Sequence, residues 1–392
     1  MPGTVLAGHE PAQDDGFMIT GRAQALDDFL ARHADRGDWP GGVYAVGPPG
    51  DEPRWARAVG RLASEPRKQP ARRDALYDLS SLTKALVTAP LVMRLAVRGQ
   101  IDPERPADGL LPEMTGYAGR TPSLVDLLTH RSGLPAWAAL YRRIEQRDDL
   151  ARAIAGLMPE SPAGTRATYS CFGPMLAGLA LERATGHPLD RLLHEELRAP
   201  LGIAPDDLRF GPLPEAIRPR AAPTEAGRRY EASIAGDGPL GQDIVPGPGS
   251  VLRGEVHDGN ACFVGGAAGN AGLFGTARAV FRVASELSCP GRLFSEAGLR
   301  PFREAWEGEG GERRTLGFQS GGSPDAPAGR LGTSSYGHVG FTGTSVWIAP
   351  DVPLVVVLLT NRVHPAWREA PIQSWRRAFH DLSLSAAAGV AT

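Results

Sequence analysis

From Ser81 to Arg98 the chain runs through Leu82, Ala85, Leu86, Ala89, Leu91, Val92, Met93, Leu95, Ala96 and Val97 with almost no polar break. The pattern predicts a helix. A helix that is apolar on every side offers no face to water, so it must be buried inside whatever the rest of the chain builds. Pro90 falls within it and, lacking an amide donor, predicts a kink there. At the head of this stretch stands Lys84, one of only two lysines among 42 basic residues, the rest being arginine. A chain so biased keeps a lysine where arginine does not serve. A lysine in dry surroundings loses its preference for charge and acts as a base near neutral pH, which a guanidinium cannot do. The other lysine, Lys68, sits between Pro66 and Pro70 and reads as a solvated loop residue.

The elements around this helix set the architecture. An amphipathic helix is predicted over 22–33, with Leu26, Phe29, Leu30 and His33 on one face, followed by strands at 42–46 and 55–62. Helical segments then dominate, at 124–129, 140–157, 172–185 and 188–199, with Gly186 as a cap and Pro188 opening the next helix. A Pro/Gly-rich stretch over 211–254, ending in Pro246-Gly247-Pro248-Gly249, reads as a surface excursion of the kind used for lids and binding loops. A helix at 276–287 precedes strands at 315–319, 336–341, 345–349 and 352–360, the last almost continuous Val and Leu and so buried on both faces. An amphipathic helix with Ile372, Trp375, Phe379 and Leu382 on one face closes the chain. Neither end alone has enough strands for a closed sheet. The simplest solution is one sheet made from both ends, with the helical block inserted as a second lobe and a site in the cleft between them.

Several classes of function are excluded. The formal charge of −2 leaves no basic footprint for nucleic acid. No apolar run reaches the roughly 18 residues of a membrane span, and Met1–Thr20 has neither a basic nor an apolar leader segment, so a cytoplasmic location is expected. Cys171, Cys262 and Cys289 fit no disulfide framework and no spaced metal motif. With no H-E-x-x-H and no C-x-x-C, neither metal nor cofactor is expected. The run Gly265–Gly272 lacks both the G-x-G-x-x-G spacing and the acidic partner of a dinucleotide loop.

Three groups of residues carry candidate chemistry. Ser81 and Lys84 are three apart at a helix start and share a face, where the first-turn amides and the helix dipole favour an anion forming at Ser81. Tyr169, in Ala167-Thr168-Tyr169-Ser170-Cys171-Phe172-Gly173, precedes another helix, and a phenol near a lysine can shuttle a proton to a leaving group. Tyr336-Gly337-His338-Val339-Gly340-Phe341-Thr342-Gly343 brings His338 and close-approach glycines to a strand edge. His130 reads as a turn residue and His257-Asp258 as loop or hinge hydrogen bonding.

In this order and on this architecture, the three groups resemble the serine β-lactamase-like superfamily, in its class C branch of β-lactamases, D-alanyl-D-alanine carboxypeptidases, D-aminopeptidases and esterases. Its S-x-x-K, Y-x-N and K/H/W-x-G elements fall at Ser81–Lys84, Tyr169–Cys171 and His338–Gly340. The stretches 123–135, 254–261 and 269–277 resemble the same branch, and the likeness spans about residues 20–385. The resemblance implies a two-lobed α/β plus all-α fold like that of β-lactamases and penicillin-binding proteins, an antiparallel sheet flanked by helices with an inserted helical domain. The sheet domain would comprise 20–79 and 258–392, and the helical insertion 80–257 with its loop at 211–254. It implies Ser81 as the acylated nucleophile, Lys84 and Tyr169 as the proton-transfer pair, and the amides of Ser81 and Phe341 as the oxyanion hole, with His338, Gly340 and Cys171 lining the substrate. Cys171 stands where the family has asparagine, and His338 where class C β-lactamases have lysine. A thiol hydrogen-bonds poorly and a histidine is mostly neutral at pH 7. Both changes point to a small ester or another activated acyl group rather than a penicillin. A D-amino-acid peptidase or weak β-lactamase, an acyltransferase or peptide cyclase, and an inactive binding homologue remain the alternatives. The expected partner is a small acyl substrate.

Overall fold

The computed structural model describes residues 15–235, 250–308 and 311–388, with side chains from Gly21 onward. The leader reading at Met1–Thr20 and the Pro246-Gly247-Pro248-Gly249 run lie largely or wholly outside the described residues. Strands β1 (Gly41–Gly47), β2 (Trp55–Ala63) and β3 (Gln69–Pro70) come from the N-terminal part. Of three short strands, β4 (Tyr77–Asp78) precedes the helical block, β5 (Leu208–Phe210) lies within it and β6 (Leu273–Gly275) follows it. The C-terminal part supplies β7 (Trp306–Glu307), β8 (Arg313–Thr315), β9 (Phe318–Ser320), β10 (Tyr336–Val339), β11 (Ser345–Ala349) and β12 (Leu354–Thr360). Among the described residues, nine of them form one antiparallel sheet in the order β3-β2-β1-β12-β11-β10-β9-β8-β7. Both ends of the chain therefore meet at the β1–β12 pair, where Val43 lies opposite Leu359 and Ala45 opposite Val357.

The centre of this sheet is buried on both faces, which explains the unbroken apolar runs. Along β12, Leu354, Val356 and Leu358 pack with helices Asp15–Arg36 and Ile372–Ala388, in a cluster holding Leu26, Phe29, Trp39, Trp347 and Phe379. The alternate residues Val355, Val357 and Leu359 face the larger cluster, with Leu82, Leu86, Val280 and Phe281. Strict alternation between two covered faces is the period-2 geometry of a strand. The small sheet β4-β6-β5 links residues before, within and after the helical block.

The buried helix departs from the expected form at its start. Lys84–Thr88 winds as a π-helix and continues as α-helix over Ala89–Val97, with Pro90 in the first α-helical turn. The residue that cannot donate thus falls where the winding changes. Two other expectations are corrected. The segment 140–157 is not one helix; it breaks into short turns at Leu140–Arg142 and Arg147–Asp149 before the helix Leu150–Ala155. The strand expected at 315–319 is a hairpin, because Gly317 at φ +80° turns the chain between β8 and β9. The helix Phe172–Thr185 ends as expected, on Gly186 in the left-handed conformation.

Candidate active site

Ser81 is presented by a turn that the core holds in place. Leaving β4, the Leu79 amide donates to Leu273 O, and Ser80 takes a positive φ of 50°. The buried Asp78 carboxylate accepts from the amides of Ser80 and His257, both at 2.8 Å. Thr83 Oγ1 donates to Ser80 O at 2.7 Å and accepts from the Leu273 amide at 3.3 Å. The chain enters the buried helix directly after Ser81, with Ser81 half-buried and Lys84 only 1% exposed.

The three residues expected to act together do meet. Lys84 Nζ donates to Ser81 Oγ at 2.8 Å, and Tyr169 OH donates to the same oxygen at 2.9 Å. Lys84 also donates to Asn270 O at 2.9 Å, which fixes its stem. Its Nζ lies 5.3 Å from the Tyr169 ring centroid, and the Arg314 guanidinium lies 5.5 Å from it. Tyr169 is held from behind by His130, whose ring is 4.7 Å away and whose Nδ1 accepts from the Ser170 amide at 3.1 Å. His130 is thus a loop-shaping residue, with a φ of +60° of its own.

The electrostatics correct one expectation. Burial alone would strip Lys84 of its charge, but the fields of Cys171 and Tyr169, the Tyr169 hydrogen bond and the Asp258 carboxylate outweigh it and hold its pKa above the ordinary lysine value. Burial pushes both the Tyr169 phenol and the Cys171 thiol up, against the pull of Lys84. Lys84, Tyr169 and Cys171 thus hold their protons as one set, each shifting the others. Such a set titrates as one unit.

The opposite wall is the end of β10. His338 Nδ1 donates to Val339 O at 2.9 Å, which fixes the neutral tautomer and leaves Nε2 without a partner among the described residues. Burial, with Lys84 and Arg314 nearby, keeps its pKa well below the usual value. The glycines beside it admit the protein's own groups. A Cβ on Gly337 would lie 2.4 Å from the Trp347 ring, and one on Gly340 would lie 2.1 Å from Thr344 Oγ1 and 2.7 Å from Leu79 O. The Phe341 amide faces the Ser81 turn and donates to Ser80 Oγ at 3.3 Å.

Between these walls lies a cleft of about 560 Å³ lined by Ser80, Ser81, Tyr169, Cys171, His338, Gly340 and Phe341. All the expected site residues thus lie in or against one cavity. Several lining residues were not singled out by sequence reasoning. Arg314, Arg362 and Arg376 all line this cavity beside the neutral His338, with Arg314 paired to Glu312 at 2.7 Å and Asp325 lining the same cavity. Arg376 donates to Gly340 O at 2.7 Å and Thr344 O at 2.9 Å, and burial together with Arg362 pulls its pKa down to about 9. Trp137, Tyr230, Glu231 and Asp258 form the other rim. One arginine among forty carries no signal of its position, and Glu231 sits in a stretch read only as loop. His257 and Asp258 do not pair with each other: His257 Nε2 meets Glu225 at 3.4 Å, and Asp258 caps a short helix through the Ala261 amide. No cluster of three or more His, Cys, Asp or Glu side chains suited to a metal occurs among the described residues, and no described helix is long and apolar enough to cross a membrane.

The antiparallel sheet made from both ends of the chain, with a Ser-Lys-Tyr cluster in a cleft against β10, defines the class of folds shared by β-lactamases and penicillin-binding proteins. The chain belongs to the Beta-lactamase family, whose model matches residues 26–378. Among curated relatives, it is 26% identical over 377 residues to an N-acetylmuramyl-L-alanine amidase of Bacillus subtilis (strain 168), covering 88% of this chain and 82% of that protein. Its fold is similar to that of EstCE1, a hydrolase with promiscuous acyltransferase activity, at a TM-score of 0.72 and 20% identity over 93% of this chain and 98% of the other. A class C β-lactamase aligns at a TM-score of 0.70 and 17% identity, covering 94% and 98%. The fold and family are thus those of serine hydrolases with esterase, amidase and β-lactamase members.

Proposed function

We propose that this protein hydrolyses a small ester or activated amide through an acyl-enzyme on Ser81. The observation that carries the reading is the convergence of Lys84 Nζ and Tyr169 OH on Ser81 Oγ, at 2.8 and 2.9 Å, inside an open cleft. Loss of one proton from the Lys84–Tyr169–Cys171 set leaves an acceptor beside the serine. As Ser81 Oγ attacks the acyl carbon, its proton passes to that acceptor, and the negative charge on the acyl oxygen is met by the amides of Ser81 and Phe341. The proton then moves to the leaving group as the intermediate collapses. Water entering the vacated space repeats the sequence and frees Ser81.

Cys171 in the place of the family asparagine supports an ester over a β-lactam, since a thiol is a weak partner for an amide. The arginine-lined wall favours a second reading, in which the substrate carries a carboxylate, as a D-amino-acid peptide does. Labelling with a fluorophosphonate, followed by rates on a chromogenic short-chain ester, a D-alanine anilide and a chromogenic cephalosporin, tests both. The expected result is an adduct on Ser81, fastest turnover on the ester, and none of either in Ser81→Ala. No adduct on the native protein would show a binding homologue instead. Fastest turnover on the anilide would favour the second reading.

A further inference from the structure

Ser80 precedes the nucleophile, and its φ of +50° puts it in the left-handed region that glycine adopts freely and other residues do not. A serine at such a position calls for a reason in its side chain. Its backbone is held on both sides: the amide donates to Asp78 Oδ1 at 2.8 Å, and the carbonyl accepts from the Thr83 amide and hydroxyl at 3.1 and 2.7 Å. The hydroxyl does something else. Ser80 Oγ accepts from the Phe341 amide at 3.3 Å, and this is the amide assigned above to the developing oxyanion.

This approach is built into the fold. Thr342 Oγ1 donates to Asp78 O at 2.7 Å and Thr344 Oγ1 to Leu79 O at 3.1 Å, so two hydroxyls tie the end of β10 to the turn carrying Ser80. Ser80 is 8% exposed and lines the cleft. A hydroxyl accepts and donates at once. With a lone pair turned to Phe341, its own proton is available to a third group. An acyl oxygen that takes over the Phe341 amide enters the space beside Ser80 Oγ, where the released hydroxyl can turn its proton to it.

We propose that the Ser80 hydroxyl is a third donor of the oxyanion hole. In the resting site it accepts from the Phe341 amide. As charge develops on the acyl oxygen, that amide turns to the substrate and the hydroxyl donates to the same oxygen; no proton is transferred. The assignment rests on Ser81 being the nucleophile.

Ser80→Gly and Ser80→Ala test it in the full chain. Glycine removes the hydroxyl and relieves the left-handed strain, so its fold is retained, as a thermal melt verifies. Both variants are expected to lose about 10-fold or more in kcat on an activated ester, with KM within about twofold, because the bond is made to charge that exists only in the transition state. Fluorophosphonate labelling of Ser81 slows in parallel. Native or faster kcat in folded Ser80→Gly would reduce the hydroxyl to a plug for the resting amide and overturn the proposal, as would a loss confined to KM. Absent Ser81 labelling in the native protein overturns this assignment and the proposed function together. Normal native labelling with unchanged Ser80 variants overturns this assignment alone.

Discussion

Glu231→Gln is expected to remove a stability penalty that builds up between about pH 4.5 and 7. Glu231 is 6% exposed on the cleft rim, and both of its oxygens accept from the Gly259 amide, at 3.1 and 2.9 Å. Burial, with help from Asp258, raises its pKa from 4.5 to about 7, against the opposing pull of His257, Arg228 and the Gly259 amide. The folded state therefore binds this proton more tightly than the unfolded chain does. Below pH 4.5 both states are protonated and the stabilisation is fully present. Between 4.5 and 7 the unfolded chain ionises while the folded one does not, so stability falls as pH rises and is lost through pH 7. A displacement from 4.5 to about 7, at ~1.4 kcal/mol per pH unit, amounts to about 3 kcal/mol. For a chain of this length that is about 3–4 °C in Tm. Glutamine carries no charge at any pH, and groups beyond the immediate neighbours of position 231 titrate alike in both proteins. The readout is thus the difference between the two stability curves from pH 4.5 to 8, measured by denaturant unfolding, with the variant gaining on the native protein as pH rises. A flat difference, or one growing toward low pH, would refute the buried-carboxyl argument.

Three further outcomes follow from the Ser-Lys-Tyr cluster. Lys84→Arg keeps the positive charge but cannot give up its proton, so kcat on the best ester should fall about 100-fold or more while the melt stays near native; near-native turnover would remove the lysine from proton transfer. Because Lys84 and Tyr169 both hold their protons above their ordinary values, kcat/KM should climb with pH through the neutral and alkaline range. A stopped pH profile that is flat from 7 to 9 contradicts it. Cys171→Asn should raise turnover of an amide or β-lactam relative to an ester, and an unchanged ratio in paired assays would place position 171 outside the substrate's reach.

Much of this site could be read in the sequence because it depends on local spacing. Ser81 and Lys84 face the same way because they are three apart at a helix start, and glycines at 337 and 340 mark close approach whatever approaches. The central strands were legible for a similar reason: an apolar run at 354–360 has to be covered twice. What could not be read depends on distant parts of the chain meeting. Arg376, on the last helix, reaches Gly340 O across 36 residues, and Arg314 reaches Tyr169 from a hairpin whose turn hides in what reads as one strand. The upward pull on the Lys84 proton escaped for the same reason, since burial is opposed there by Cys171, Tyr169 and Asp258 rather than by its own segment. The helix expected over 140–157 failed because apolar periodicity does not register a break that tertiary contacts impose, here with Asn260 Oδ1 accepting from the Leu140 amide at 2.9 Å.

The division of labour between the two kinds of cation in the cleft strengthens the reading of the rare lysine. Arg314, Arg362 and Arg376 all line the cavity, so this chain readily supplies arginine where a standing positive charge is needed. A guanidinium stays charged even when burial works against it, as the pull on Arg376 down to about 9 still leaves it protonated at neutral pH. At position 84 the requirement differs. The group there must crowd within 2.8 Å of a serine oxygen, give one hydrogen bond to Asn270 O, and belong to a set of acids that together can part with a proton. A compact ammonium on a flexible stem meets all three conditions, whereas a planar fork that never deprotonates meets at most the first two. The bias against lysine elsewhere in the chain is thus what makes the surviving residue informative: position 84 is where charge has to be movable rather than merely present.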